Sequence, residues 1–379
     1  MQQPNLQRIK TLLKDIEASV EKYKTTNSEI ARLAALKKSL KLSSALESPK
    51  AAIIKLFFSP TKVMVIKATH DLSLFTALVK SKKAVSPQDL AEETGGHPLL
   101  IERLMRVVAS IDFVEQQGND KYSSNRLSEE MVNKKSTAFD DFGPAVFKTP
   151  DFFRETNYQN PEDHSTGPMQ YTYNSQLTVF EWLAANPGAH NLFHAYVESF
   201  RDGQHFWVDW YPVQERILDS YIGTSDDPLI VDVAGGSGRD ILAFQRRFPH
   251  AEGRLILEDL PAVVNDDHFR GQALEKVAYD VFTPQPIQGA RVYYLKFTLH
   301  EFSDDNCKRI LKNIAQTMTK GYSKLLIEEF FPSQQDTNSF HAMVDMLLIW
   351  VKILQSAGPT LNRFWYFKTE GPGILEAEL

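Results

Sequence analysis

A single cysteine, Cys307, occurs among the 379 residues of the chain. One thiol can neither close a disulfide within the chain nor build a thiolate-rich zinc centre, so no metal is expected and a reducing compartment fits. Positive charge is also scarce: 42 lysines and arginines stand against 48 aspartates and glutamates, a formal net charge of -6. Binding of nucleic acid by phosphate neutralisation needs a clustered basic surface, which this balance disfavours. No apolar run approaches the ~20 residues of a membrane span. The opening residues 1–17 are amphipathic and mixed in charge, without the apolar core of a secretory signal. The expectation is a cytoplasmic protein that partners neither membrane nor nucleic acid. Repeats and low-complexity tracts are missing too.

What is present suits a globular chain of more than one domain: 42% of residues are hydrophobic and 24% charged. The pattern divides it into a helical region at 1–135, an aromatic-rich helical segment at 136–225, and an α/β region at 226–379.

Apolar residues at helical spacing run from Leu6 through Leu12, Ile16 and Val20, then from Ile30 through Leu33, Leu36 and Leu40. The polar stretch Thr25-Thr26-Asn27-Ser28 separates two helices, with Ser28 as a candidate N-cap. Neither helix can bury its stripe alone, so each must pack on the next domain or on a second copy of the chain. Further on, Ser86-Pro87-Gln88-Asp89 reads as a helix start, Gly95-Gly96 as a turn, and 99–111 as a second helix. Residues 113–122 then form a hairpin around Gly118-Asn119-Asp120. Helix, turn, helix and hairpin make a winged helix. Its second helix offers only Arg103 and Arg106, beside Glu102, and its wing one lysine. That is a packing module rather than a DNA reader.

Residues 147–216 are dense in aromatics, including Phe152, Tyr171, Trp182, Phe193, Tyr196, Trp207, Trp210 and Tyr211. Such density suits a core or a pocket for a planar apolar ligand. From Pro228 onward apolar strands at 229–233, 255–257, 292–295 and 324–328 alternate with helices at 240–248 and 307–318. Alternation of this kind predicts a parallel sheet covered on both faces.

The first strand runs through Asp232 into Ala234-Gly235-Gly236-Ser237-Gly238 and a helix. Glycines let the backbone turn sharply beside a ligand, and the following helix presents its N-terminal amides. The second strand ends in Glu258-Asp259-Leu260-Pro261, where an acid can hold ribose hydroxyls; Asp259 is the first candidate and Glu258 the second. A further acid, Asp280, follows Ala278-Tyr279 and precedes Val281-Phe282, placed to meet an adenine amino group. Three such features in order point to an adenosine-containing ligand.

With these motifs the chain resembles, over nearly its whole length, the S-adenosylmethionine-dependent O-methyltransferases with an N-terminal winged-helix dimerisation domain, in particular the fungal secondary-metabolite members. The segments 285–291, Leu299-His300-Glu301-Phe302-Ser303-Asp304-Asp305 and 374–379 carry the likeness as well. The resemblance implies an α/β fold, a Rossmann-like doubly wound sheet that binds S-adenosylmethionine, preceded by a mostly helical winged-helix dimerisation domain. It implies a homodimer acting on a small aromatic or polyketide-type substrate. The cofactor set it carries over is Asp232, Gly235, Gly236, Gly238, Asp259, Leu260, Asp280, Val281, Lys296 and Trp210. His300 falls on the family's catalytic histidine, the general base that takes the proton of a phenol or enol. Glu328, four residues before Pro332, is implied as its orienting carboxylate, and Lys296 as a basic group near cofactor and pocket.

Four departures qualify the likeness. Ala234 replaces a glycine; Glu301 and Phe302 replace Asp and Trp; Lys296 stands where fungal members usually have arginine, a point charge for a bidentate fork. The family's Glu-Arg-Thr element, with a second orienting carboxylate, is missing where Ile349 meets Trp350. That gap keeps a second reading open: an O-methyltransferase-like pericyclase or dehydratase that binds S-adenosylmethionine without transferring methyl, with Lys296 polarising a substrate carbonyl.

Overall fold

The computed structural model describes residues 5–132, 139–159, 165–189, 205–265, 274–330, 343, 360–366 and 372–378. The chain divides into two compact units, Met1–Ala145 with Trp182–Asp202, and Val146–Glu181 with Gly203–Leu379. The segment read as one aromatic-rich region is therefore shared between the units.

In the first unit, α1 (Leu6–Thr26) and α2 (Glu29–Leu46) are joined by Asn27, which turns the chain in the left-handed region at φ 47°, and Ser28. They pack on each other through small residues, Ser19, Ala31 and Ala35, which let two backbones approach. The Lys38 ammonium crosses between them to the Asp15 carbonyl at 3.2 Å and the Ser19 hydroxyl at 2.9 Å. The apolar stripe is split: Ile9, Leu12, Ile16 and Leu33 are half-buried, while Leu6, Leu13, Leu36 and Leu40 remain exposed.

After α3 (Pro49–Phe57), α4 (Ser59–Asp71) and α5 (Leu74–Ser81) comes the winged helix, with α6 (Pro87–Thr94), α7 (Pro98–Ser110), β1 (Glu115–Gln117), β2 (Lys121–Ser123) and α8 (Arg126–Val132). A capping box between Ser86 and Asp89 starts α6, and Gly95 ends it at φ 77°. Leu74, Phe75, Leu78, Leu90, Ile101, Met105, Val108 and Tyr122 form one buried cluster at its centre.

In the second unit, β3 (Pro228–Val233), α12 (Arg239–Arg247), β4 (Arg254–Asp259), β5 (Glu275–Ala278), β6 (Val292–Lys296), α13 (Asp304–Ala315), β7 (Lys324–Glu329), β8 (Thr360–Tyr366) and β9 (Gly373–Glu378) build a seven-stranded sheet in the order β5-β4-β3-β6-β7-β9-β8. Of the helices before the sheet, α10 (Pro168–Tyr173) lies in this unit, while α9 (Phe139–Glu155) and α11 (Val179–Ala185) each cross a boundary of the units, after Ala145 and after Glu181. The first five strands run parallel, as the alternation predicts; β9 pairs antiparallel with β7 and with β8, which the strand–helix pattern does not reveal.

Successive side chains on a strand face opposite ways, and two apolar clusters cover the two faces. Val231, Tyr293, Leu295, Leu325 and Ile327 pack with Ile310 and Ile314 of α13. Ile230, Val292, Tyr294 and Leu326 pack with Phe244 of α12, Trp207 and Tyr211. Strand order reverses between β4 and β6 on either side of β3, the switch point where open α/β sheets receive nucleotides.

Candidate active site

The glycine turn leaves β3 at that switch point. Gly235 leaves no room for a side chain unless its neighbours shift: an added Cβ would stand 2.5 Å from Leu257 Cδ1 and 2.6 Å from Asp232 Cγ. Ala234 has φ 54°, so the residue that replaces the family's glycine occupies a left-handed position that favours glycine. The Gly236 amide donates to Asp259 Oδ2 at 2.8 Å and the Leu260 amide to Asp259 Oδ1 at 2.7 Å. Asp259 therefore fastens the turn to the end of β4, where a carboxylate can also accept from a ligand hydroxyl. Gly236 lies at φ 57° with nothing within 4 Å of an added Cβ, so the turn borders open space. Asp280, exposed just past β5, accepts from the Phe282 amide at 2.9 Å. An adenosyl ligand fits this set: open backbone, an acid at the second strand end and an exposed acid at the third. Trp210 is partly buried against the Trp207–Phe244 cluster.

At the ends of β6 and β7 the structure sorts the catalytic candidates differently from expectation. Glu328 does not meet His300. It shares a face with Tyr294 and Lys296, accepts from the Tyr294 hydroxyl at 2.5 Å, and lies 3.2 Å from the Lys296 ammonium. Lys296, its side chain only 6% exposed, also donates to Asp240 in the first turn of α12 at 3.0 Å. Burial pushes Glu328 above the ordinary carboxylate range, against the pull of Lys296. Burial likewise raises the Tyr294 phenol well above its ordinary value, with Asp240 and Glu328 adding to the shift, so it stays a donor.

The carboxylate that meets His300 is Glu329, one residue on and on the opposite face. Its Oε2 lies 2.7 Å from His300 Nδ1, and its Oε1 accepts from the Thr298 and Leu299 amides, each at 3.1 Å. The turn Leu299–Glu301 is further held from α13, where the Cys307 thiol donates to the Leu299 carbonyl at 3.2 Å. With a carboxylate accepting at Nδ1, the hydrogen sits there and Nε2 carries the basic lone pair. Consecutive glutamates at a strand end were the available signal; period-two alternation makes them non-equivalent, and a one-residue offset exchanges faces.

The positions flanking the absent Glu-Arg-Thr element, Ile349 and Trp350, lie outside the described residues, as do Phe193 and Tyr196. Among the described residues no cluster of His, Cys, Asp or Glu could hold a metal, and no helix is long and apolar enough to cross a membrane.

The O-methyltransferase domain family matches residues 171–356, and the O-methyltransferase dimerisation domain matches 54–134. The O-methyltransferase penC of Penicillium thymicola is 34% identical over 97% of this chain and 96% of its own. The O-methyltransferase asqD of Emericella nidulans is 34% identical over 85% of this chain and 87% of its own. The chain belongs to the O-methyltransferase family. Its fold matches LepI in complex with SAM at a TM-score of 0.86, with 24% identity and coverage of 98% and 99% of the two chains. OxaC in complex with sinefungin and meleagrin follows at 0.82, with 23% identity and 98% of each chain.

Proposed function

We propose that the protein transfers a methyl group from S-adenosylmethionine to a phenolic or enolic hydroxyl of a small secondary metabolite, with His300 as general base. The observation that carries this reading is the His300–Glu329 pair, 2.7 Å from Nδ1 to carboxylate oxygen. S-adenosylmethionine supplies an electrophilic methyl on a sulfonium centre. Gly235, Gly236 and Gly238 shape its backbone cradle, Asp259 and Leu260 take the ribose side, and Asp280 and Val281 the adenine side. His300 Nε2 takes the hydroxyl proton, leaving an oxygen nucleophile. Glu329 stabilises the resulting imidazolium and fixes the ring, because its other oxygen is tied to two backbone amides. In-line placement of the oxygen then completes what the transfer requires.

Lys296 argues against the carbonyl-polarising alternative, since its ammonium contacts two carboxylates at 6% side-chain exposure. The dimerisation domain supports a homodimer, and the lone buried cysteine suits the cytoplasm. The test is incubation with methyl-labelled S-adenosylmethionine and a panel of phenols and 2-pyridones, following label and product mass. Label in the product is expected, and His300→Ala should lose on the order of 100-fold or more in kcat. An unlabelled, isomerised or dehydrated product refutes methyl transfer.

A further inference from the structure

Phe297 occupies a conformation that its side chain disfavours. It follows Lys296 at the end of β6, has φ 51°, and its amide donates to the Glu328 carbonyl at 3.0 Å. A bulky residue in the left-handed region is an outlier, held only where its surroundings over-determine it. Its ring stacks on Phe330 with centroids 4.8 Å apart and planes 11° from parallel. The same ring lies 6.1 Å from the His300 imidazole and 5.5 Å from the Lys296 ammonium. Both phenylalanines directly follow a residue of the site, Lys296 on β6 and Glu329 on β7. Both are half-buried.

Neither residue is needed to hold the proton or the cofactor turn. An αL position at a strand end is filled without strain by glycine or asparagine, so the ring itself is what the site gains. We propose that Phe297, backed by Phe330, is a specificity-determining wall that selects planar aromatic acceptors and lays them with a hydroxyl toward His300. Stacking against a ring favours a flat π-system over a puckered one of similar size. The inference rests on the acceptor site placed at His300 under the proposed function, and equilibrium binding separates the two.

The experiment measures binding of 1-naphthol and of cyclohexane-1,3-dione, a non-aromatic enol, to the full-length protein saturated with S-adenosylhomocysteine. Phe297→Asn accepts the left-handed backbone and removes the ring; Phe297→Tyr keeps the ring; thermal unfolding confirms that each variant is folded. The wild type is expected to prefer 1-naphthol, Phe297→Asn to weaken it at least tenfold with little change for the dione, and Phe297→Tyr to retain the preference. Should Phe297→Asn misfold, Phe330→Leu carries the same expectation. Equal losses for both probes, an unchanged 1-naphthol affinity, or no preference in the wild type would overturn the assignment. Selective naphthol binding without methyl transfer would instead refute the proposed function and leave the wall standing.

Discussion

At the scale of single residues, the two neighbouring glutamates divide the chemistry. Glu329 addresses the base and Glu328 the buried ammonium, so their isosteric substitutions should differ. Glu329→Gln is expected to lower kcat by about 10²- to 10⁴-fold, the range set by losing a correctly positioned general base, with the KM for the methyl donor nearly unchanged. Glu328→Gln removes the counter-charge beside Lys296 and should act first on stability and donor affinity. Steady-state kinetics on both variants decide this, and equal kcat losses would remove the distinction. The glycine turn supplies a second contrast. Ala234 already sits at φ 54°, so Ala234→Gly exchanges left-handed strain for backbone entropy and should shift stability by no more than about 1 kcal/mol. Gly235→Ala drives a Cβ to 2.5 Å from Leu257 and should abolish donor binding, measured by calorimetry.

At the scale of elements, two buried acids on opposite faces of the sheet respond to pH with opposite sign. Glu376 on β9 is held at about 2, below its ordinary 4.5: burial pushes it up, and Arg216, Lys324 and Trp365, donating to it, more than reverse that. Its contribution to stability is present above pH 4.5 and drains away as pH falls toward 2. Glu258 on β4 is pushed up to about 7 by burial, with Gln285 donating to it at 2.8 Å. It folds most favourably while protonated, so stability is lost as pH rises from 4.5 through 7. Thermal unfolding as a function of pH should therefore show a flatter acid limb in Glu376→Gln and a flatter limb above pH 4.5 in Glu258→Gln, if these groups set the slopes.

The strands and the glycine turn were legible in the sequence because apolar runs and glycines carry their own local signal. The antiparallel β8–β9 edge was not, since a strand's direction depends on which neighbour it meets rather than on its composition. The partner of His300 was missed for a related reason: counting back from Pro332 locates a strand end but not which of its two faces a side chain takes. The α1–α2 pair shows the limit again. Its apolar stripe is only half-buried, while the fully buried positions are Ser19, Ala31 and Ala35, whose small size gives no hydrophobic signal.

At the scale of the whole molecule, the first unit exposes Leu56, Phe57 and Phe58 at 73%, 78% and 58%, along with Leu99 and Leu100. Exposed large apolar side chains in this number mark an association site, in keeping with the dimerisation domain matched over 54–134. Sedimentation equilibrium should give a particle of two 43.1 kDa chains, and Phe57→Glu should shift it toward the monomer. A wild type that stays monomeric at micromolar concentration would contradict the homodimer.

Cys307 closes the account in a practical way. It is the only thiol in the chain, wholly buried, and its hydrogen bond ends on the turn that carries His300. A thiol-reactive dye can reach it only when α13 and that turn part, so the native protein carries a built-in reporter of local opening at its base. The labelling rate, read with no engineered residue, measures how often that part of the structure opens, and its slowing on addition of methyl donor or acceptor would show which ligand holds the turn shut.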